Sequence, residues 1–163
     1  MTTIPAARSI ARHGVPSLFV FVVLVALVAN FGAMFRPDIW YAELAKPAWM
    51  PPHEIFGPVW IVLYLMIAIA GWRVWRSAGR MVGALHLWTA QLIANALWPF
   101  AFFGLHRIDI ALTDIGILLC AILLFIYRAR RRSPLASWLF VPYALWVGFA
   151  TALNFAIWRL NPV

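Results

Sequence analysis

Residues 55–72 of this 163-residue chain read IFGPVWIVLYLMIAIAGW and contain no Asp, Glu, Lys or Arg. A helix needs roughly 17–25 apolar residues to cross the hydrocarbon core of a bilayer, because no water is there to satisfy the backbone. Four further segments reach that length, and only one of them, at 108–127, contains charged residues, Asp109 and Asp114. The others are 15–35, 81–105 and 133–158. The sequence therefore predicts an all-α membrane protein, a bundle of five transmembrane helices.

The composition fits one membrane domain and excludes several other classes. Hydrophobic residues make up 65% of the chain and charged residues 11%, whereas a soluble domain has about 25% charged residues. A single Cys excludes a disulfide framework and a cysteine-rich metal site. We expect one domain over residues 1–163, with helices at about 15–35, 55–76, 81–105, 108–127 and 134–158 and a lid loop at 36–54. A cleaved signal peptide is the alternative for the first segment, although its apolar stretch exceeds the usual length of about 7–15 residues.

The net charge of +8, from 13 Lys and Arg against 5 Asp and Glu, is explained by orientation in the membrane. Binding to nucleic acid would need a water-exposed basic face, so we expect no nucleic-acid partner. In the five-span arrangement nine cationic residues share the side of the N-terminus and four lie on the other side. The nine are Arg8, Arg12, Arg73, Arg76, Arg80, Arg128, Arg130, Arg131 and Arg132, and the four are Arg36, Lys46, Arg107 and Arg159.

The positive-inside rule then predicts a multi-pass protein with its N-terminus in the cytoplasm and its C-terminus and long loop on the outer side. The sequence leaves open which membrane holds it. We interpret the cluster at 128–132 as a topology anchor, and attraction of anionic lipid head groups is the alternative.

Residues 36–54 form the one long connection, with 19 residues and four prolines. An unstructured loop longer than about 12–15 residues is usually a lid, a binding loop or disorder. Trp40, Tyr41 and Trp49 supply apolar area to bury, and prolines lower the entropy cost of ordering the chain. The loop is predicted to be a structured lid across the outer end of the bundle. The alternative is an interfacial loop whose rings lie among head groups.

Several polar, aromatic and small residues share one depth in the predicted bundle. Counting ~1.5 Å per residue places this layer roughly 9–14 Å below the outer boundary. Its members are Tyr64, Asn95, Asp114 and Ala150. Helical spacing adds two stripes, Gln91, Asn95, Trp98 and Phe102 on the third helix and Trp146, Ala150 and Leu153 on the fifth. Polar side chains at this depth are costly in lipid, so Gln91, Asn95, Asp114 and Asn154 should face the interior, as interhelical hydrogen bonds or as the lining of a ligand pocket.

The residues predict no catalytic centre and no metal site. The four His residues are His13, His53, His86 and His106, and no two of them form a pair on one helix or lie in the deep layer. Cys120 has no deep His partner, and the five carboxylates do not cluster. We therefore expect interfacial or structural roles for the histidines, and a flat ligand would be held by stacking on aromatic rings.

The chain resembles the translocator protein family (TspO/MBR), also called tryptophan-rich sensory proteins or peripheral-type benzodiazepine receptors. The motifs are Trp40-Tyr41, Lys46-Pro47, Pro51-Pro52, Phe56-Gly57-Pro58-Val59-Trp60, Gln91-Leu92, Asn95, Trp98-Pro99, Pro142-Tyr143, Trp146, Phe149-Ala150-Thr151 and Leu153-Asn154. A bacterial member is expected. One departure is that Phe155 occupies the Tyr position of the family's C-terminal sterol signature, so sterol or lipid transport is an alternative that the residues do not favour.

The resemblance implies a receptor, sensor or translocator, commonly a homodimer, that binds porphyrin or haem and drug-like hydrophobic molecules inside the bundle and has no obligate cofactor. Membrane lipid is the other expected partner. Light-dependent porphyrin breakdown is the enzymatic alternative. By matching position, the ligand site would comprise Trp40, Phe56, Trp60, Tyr64, Asn95, Trp98, Asp114, Tyr143, Trp146, Ala150 and Leu153.

Overall fold

The computed structural model describes residues 15–77 and 81–162, and all regular structure within them is helical. The helices are α1 (Val15–Ala33), α2 (Ile39–Glu43), α3 (Phe56–Trp75), α4 (Val82–Pro99), α5 (Ile108–Ala129) and α6 (Pro134–Leu160). A 3₁₀ turn at His53–Ile55 precedes α3, and a π-helical turn at Phe100–Gly104 extends α4. His13, Arg8, Arg12 and Arg80, on which the predicted roles of the histidines and the orientation partly rest, lie outside the described residues.

Four helical segments are long and apolar enough to cross a membrane: Pro16–Ala33, His53–Trp75, Ile108–Ala129 and Pro134–Leu160. The expected fifth span, residues 81–105, forms α4 and the π-helical turn, but it does not reach the same apolarity. The physical reason is that α4 carries His86, Gln91 and Asn95 within 18 residues. Length and composition therefore give four candidate spans where five were predicted.

Contacts at the two ends of the bundle show that its long helices alternate in direction. At one end Trp72 of α3 donates to Ser17 of α1 (2.9 Å), and Ser137 of α6 donates to the carbonyl of Ile126 in α5 (3.1 Å). At the other end the segment after α1 meets the last residues of the chain, because Asn161 bonds the backbone of Ala45. We call this second end the lid end.

Local sequence explains where the elements stop. Asp38 caps α2, since its carboxylate accepts from the amide of Tyr41 at 3.1 Å. Prolines at 47, 51 and 52 prevent a continuous helix between α2 and α3. Pro99 lacks an N–H at the end of α4, and the backbone continues with wider π-type bonds, including Leu105 to Phe100 at 2.8 Å. The residues between α1 and α3 thus hold a short helix between proline-rich stretches.

The half of the bundle away from the lid end is tightly packed. The rings of Phe125 and Phe140 stack at 3.9 Å between α5 and α6. Gly71 of α3 lies directly against the indole of Trp88, so close that a Cβ there would clash with the ring. Trp88 is 3% exposed and donates to the carbonyl of Ile67 at 2.8 Å. Large rings against a glycine leave no space between these helices.

Candidate ligand site

The half of the bundle at the lid end encloses a cavity of about 520 Å³. This volume lies within the range of roughly 300–1,000 Å³ that small-molecule sites occupy. Residues of α1, α3, α4, α5 and α6, together with the segment between α1 and α3, all contribute to the wall. A cavity reached by all five long helices is the natural place for a ligand in this fold.

Aromatic side chains from three helices form a large part of the cavity wall. On one side Trp60 and Tyr64 of α3 lie 5.1 Å apart, and Phe56 meets Trp146 of α6 edge-on at 5.4 Å. On another side Trp98 of α4 stacks on Phe102 at 5.1 Å. These rings are only partly buried apart from Phe102, so their faces remain available to a flat apolar molecule.

A chain of side-chain hydrogen bonds forms the polar floor, which we define as Tyr64, Asn95, Tyr143 and Gln91. Tyr64 donates to Asn95 (3.1 Å), Asn95 to Tyr143 (2.9 Å) and Tyr143 to Gln91 (3.0 Å). The amide of Gln91 then donates to the carbonyl of Trp88 at 2.8 Å. Gln91 and Tyr143 are fully buried, so the floor satisfies polar groups that would otherwise be costly at this depth.

A second polar bridge crosses the wall closer to the lid end. The indole of Trp98 donates to Asn154 of α6 at 3.0 Å, and the Asn154 amide donates to the carbonyl of Ile108 at 3.2 Å. Three helices are thereby joined around one buried amide. The orientation of the Trp98 ring is set by this bond and by its stacking on Phe102.

The lid, residues 34–52 in the structure, is held to the rest of the bundle at two points. Near its start the Asp38 carboxylate contacts Nε2 of His106 at 2.9 Å, and the Trp40 ring stacks on His106 at 4.3 Å. His106 adopts a positive φ of 54° in the turn between α4 and α5, which presents its ring to the lid. Further along, Asn161 exchanges two hydrogen bonds with Ala45, at 2.9 and 3.0 Å. The lid is therefore fastened to both the α4–α5 turn and the end of α6.

Asp38 and Lys46, two charged residues of the lid, have local partners. The backbone amide of Tyr41 and, to a smaller extent, His106 hold the pKa of Asp38 below its usual value of 3.8. Burial raises the pKa of the Tyr41 hydroxyl, whose ring packs edge-on against Phe103 at 5.3 Å. Lys46 folds back to donate to the carbonyls of Ala42 and Leu44 at 3.1 and 3.0 Å. The lid is thus an internally bonded unit with two aromatic residues, Phe35 and Tyr41, at the cavity wall.

The sequence model of the TspO/MBR family matches residues 19–159 of this chain, almost its whole length. The chain belongs to the TspO/MBR family. Protein CrtK of Rhodobacter capsulatus is 37% identical to it over 146 residues, which cover 88% of this chain and 91% of that protein. The human translocator protein is 40% identical over 126 residues, 75% of each chain. The tryptophan-rich sensory protein of Cereibacter sphaeroides is 36% identical over 141 residues, 86% of this chain and 89% of its own.

The resemblance inferred from the motifs is therefore confirmed. Family membership together with four apolar helices makes this TspO/MBR chain an integral membrane protein. Relatives from bacteria and from mammals align over most of its length, so the motifs of the lid and of the later helices belong to one continuous match.

The structure brings eight of the eleven predicted site residues to the wall of the TspO/MBR cavity, and three lie elsewhere. The eight are Phe56, Trp60, Tyr64, Asn95, Trp98, Trp146, Ala150 and Leu153. Tyr143 lies beneath the wall as part of the polar floor. Trp40 packs on the outer side of Phe102, at 5.9 Å, and against His106.

Asp114 is the third predicted residue outside the cavity wall. Successive helical residues point about 100° apart, so the face of α5 that presents Ile115 and Leu118 to the cavity turns Asp114 aside. Its Oδ2 is buried and finds no hydrogen-bond partner among the described residues. Of the four polar residues predicted to face the interior, Gln91, Asn95 and Asn154 are 0, 5 and 2% exposed, and Asp114 is only partly buried.

α1 contributes to this wall, which the sequence patterns did not predict. Ala29, Gly32 and Ala33 line the cavity on that side. Their spacing of three and four residues was the available signal, since small residues at i, i+3 and i+4 mark one helical face. His53, read as an interfacial or structural residue, also lies at the cavity wall. Among the described residues no group of three or more His, Cys, Asp or Glu could hold a metal ion.

Proposed function

We propose that this TspO/MBR chain is a membrane receptor or translocator that holds a planar hydrophobic ligand of the tetrapyrrole class, porphyrin or haem, in the cavity beneath the lid. The observation that carries the proposal is the cavity itself, about 520 Å³ lined by aromatic rings over a polar floor. Apolar walls with a few fixed polar groups are the general form of a small-molecule site. The printed names of relatives, translocator protein and tryptophan-rich sensory protein, support a transport or sensing role.

Stacking on aromatic faces would supply most of the affinity for such a ligand. Each offset or edge-to-face aromatic contact contributes about 0.5–1.5 kcal/mol beyond the area buried. Trp60, Trp98 and Trp146 stand on three different helices around the cavity, so a flat macrocycle could contact more than one of them. Asn95 and Tyr64 would then orient its polar edge from the floor.

The placement in the membrane completes the proposal. We infer that α4 with its π-helical turn is the fifth span, with its polar residues Gln91 and Asn95 buried inside the bundle. The arginines at the ends of α3 and α5 would then lie in the cytoplasm and the lid on the outer side. A homodimer is the proposed assembly, and sedimentation of the purified protein in detergent tests it.

Titration with protoporphyrin IX, followed by quenching of Trp fluorescence, tests the ligand site. Ala150→Leu places a bulky side chain in the cavity and should weaken binding at least about tenfold. Gly148→Leu is the matched control on the same helix, because a Cβ at Gly148 meets nothing within 4 Å. Trp146→Ala combined with Asn95→Ala should also lose the ligand. Equal quenching of the wild type and both cavity variants would overturn the assignment.

A further inference from the structure

A second cavity, of about 310 Å³, lies at the end of the bundle opposite the lid, between the start of α4 and the end of α5. We call it the arginine cavity. Half of its lining residues are cationic, which sets it apart from the aromatic cavity beneath the lid. It is lined by Met81, Gly83, Ala84, Tyr127, Arg128, Arg130, Arg131 and Arg132.

Four guanidinium groups and the N-terminal end of α4 present positive charge to the arginine cavity, against the weaker negative end of the α5 dipole. Nη1 of Arg128 lies 3.5 Å from the position that a Cβ on Gly83 would take, in the first turn of α4. Arg130 is held over the Tyr127 ring at 4.3 Å. Among the described residues no side chain caps the start of α4, and its first turn has no acidic residue. The positive end of a helix dipole therefore adds to the field of the guanidinium groups.

The chain holds no carboxylate side chain that could neutralise this cluster. Its five acidic residues all lie between positions 38 and 114. Asp114, which shares α5 with Arg128, is separated from it by 14 residues, or ~21 Å along the axis. Like charges repel one another in this cavity, so an anion from outside the chain would relieve the repulsion.

We propose that the arginine cavity binds a phosphate-bearing anion. A guanidinium fork matches two phosphate oxygens, and the bonds are charge-assisted. The cavity lies where α5 ends, beside Tyr127, whose 59% exposure is typical of an aromatic residue at a membrane boundary. The phosphate of an anionic phospholipid would reach the cavity from the membrane surface, and a soluble diphosphate would reach it from the water.

The test follows thermal unfolding of the full chain in phosphatidylcholine bicelles as phosphatidylglycerol replaces part of the lipid. The midpoint should rise with phosphatidylglycerol and saturate, and high salt should weaken the response. In Arg128→Gln/Arg131→Gln the response should no longer saturate, because the charge-assisted bonds from two guanidinium groups to the phosphate are lost. Arg73→Gln/Arg76→Gln removes the same charge from the same end of the bundle, outside the cavity, so it should lose only the diffuse surface attraction and should still saturate. Equal losses in the two double variants would contradict a site.

A variant that adds a negative charge to the arginine cavity tests the proposal even if the arginine variants fold poorly. Gly83→Asp places a carboxylate in the first turn of α4 beside Arg128, where the helix dipole favours it. It should raise the midpoint in pure phosphatidylcholine and abolish the response to phosphatidylglycerol, while Gly83→Asn should retain that response. An unchanged response in Gly83→Asp would overturn the proposal.

A parallel titration with pyrophosphate in phosphatidylcholine identifies the source of the anion. Stabilisation by phosphatidylglycerol alone assigns the arginine cavity to a lipid head group. Saturable stabilisation by pyrophosphate alone, lost in Gly83→Asp, assigns it to a soluble diphosphate. A wild-type midpoint that responds to neither probe would overturn the proposal.

Discussion

The two halves of this bundle are built from the same helices, but one half has a solid core, with the arginine cavity only at its far end, and the other half has a hollow core. Away from the lid, Phe125 and Phe140 stack at 3.9 Å and Trp88 fills the space against Gly71. Toward the lid the same helices surround about 520 Å³ of empty space. The polar floor lies between the two halves. The difference shows that this fold concentrates its packing energy in one half and leaves the other free to accept a guest.

The largest expected effect comes from opening the solid half. Trp88→Ala removes a buried ring and its bond to Ile67, and large-to-small core substitutions of this kind cost about 3–5 kcal/mol. The thermal midpoint in detergent should fall by roughly 10 °C. Trp60→Ala, at the cavity wall, should cost clearly less because its ring already faces empty space. Equal losses for the two variants would contradict the division into a solid and a hollow half.

Adding volume tests the same contrast from the opposite direction. Ala136 of α6 is fully buried in the solid half, so Ala136→Leu should be overpacked and lose about 2 kcal/mol of unfolding free energy. Ala150→Leu on the same helix projects into the cavity and should leave stability nearly unchanged while it blocks ligand binding. Chemical unfolding of both variants under one condition makes the comparison. A loss at position 150 as large as that at 136 would show that the cavity is filled or collapsed in solution.

The stability of the polar floor, which lies between the two halves, should depend more on its hydrogen bonds than on the volume of its side chains. Asn95→Leu leaves the hydroxyls of Tyr64 and Tyr143 without their shared partner, and an unsatisfied buried group costs about 1–3 kcal/mol. We expect a loss of about 1.5 kcal/mol, together with weaker porphyrin binding. Asn154→Leu removes the other buried amide bridge. Its unfolding free energy and porphyrin binding are compared with those of Asn95→Leu. If Asn95→Leu were neutral, the floor would not be a continuous network.

The smallest effect concerns the lid over the hollow half. Because the pKa of Asp38 is lower in the folded lid than its usual 3.8, the ionised carboxylate favours the folded form. This contribution is complete well above pH 3.8 and is lost as the pH falls through the lowered value. Hydrogen exchange at the Tyr41 amide, which donates to Asp38, should accelerate in that acidic range beyond its intrinsic pH trend. Asp38→Asn should remove this pH dependence, and a variant that retained it would rule out Asp38 as its source.

Much of the hollow half could be predicted from sequence, because helical periodicity shows which residues share a face and depth places them along the helix axis. Asn95 and Trp98 on α4, and Trp146, Ala150 and Leu153 on α6, stand on faces that helical spacing defines. All five reach the cavity wall. Length and hydropathy also placed the long helices to within a few residues, since a charge or a proline bounds most of them.

Most of the remainder depended on tertiary contacts. α1 is apolar over most of its surface, so only the spacing of its small residues indicates which face turns inward, and hydropathy did not predict Gly32 at the wall. In the lid, Tyr41 rather than Trp40 faces the cavity, because contacts of Asp38 and Trp40 with His106 fix the rotation of a five-residue helix. Asp114 was predicted from depth and family position, but depth does not fix the angle about the helix axis.

A single backbone carbonyl decides what the floor of the hollow half can offer a guest. The oxygen of Trp88 can only accept, so Gln91 must turn its NH₂ group toward it and its own oxygen toward Tyr143. Tyr143 must then donate to Gln91, Asn95 to Tyr143 and Tyr64 to Asn95. The hydroxyl proton of Tyr64 is thereby committed, and only its lone pairs remain for the cavity. The Tyr64 hydroxyl can therefore accept a hydrogen bond from a ligand that carries an N–H or O–H group, but it has no proton to donate to a ligand that only accepts.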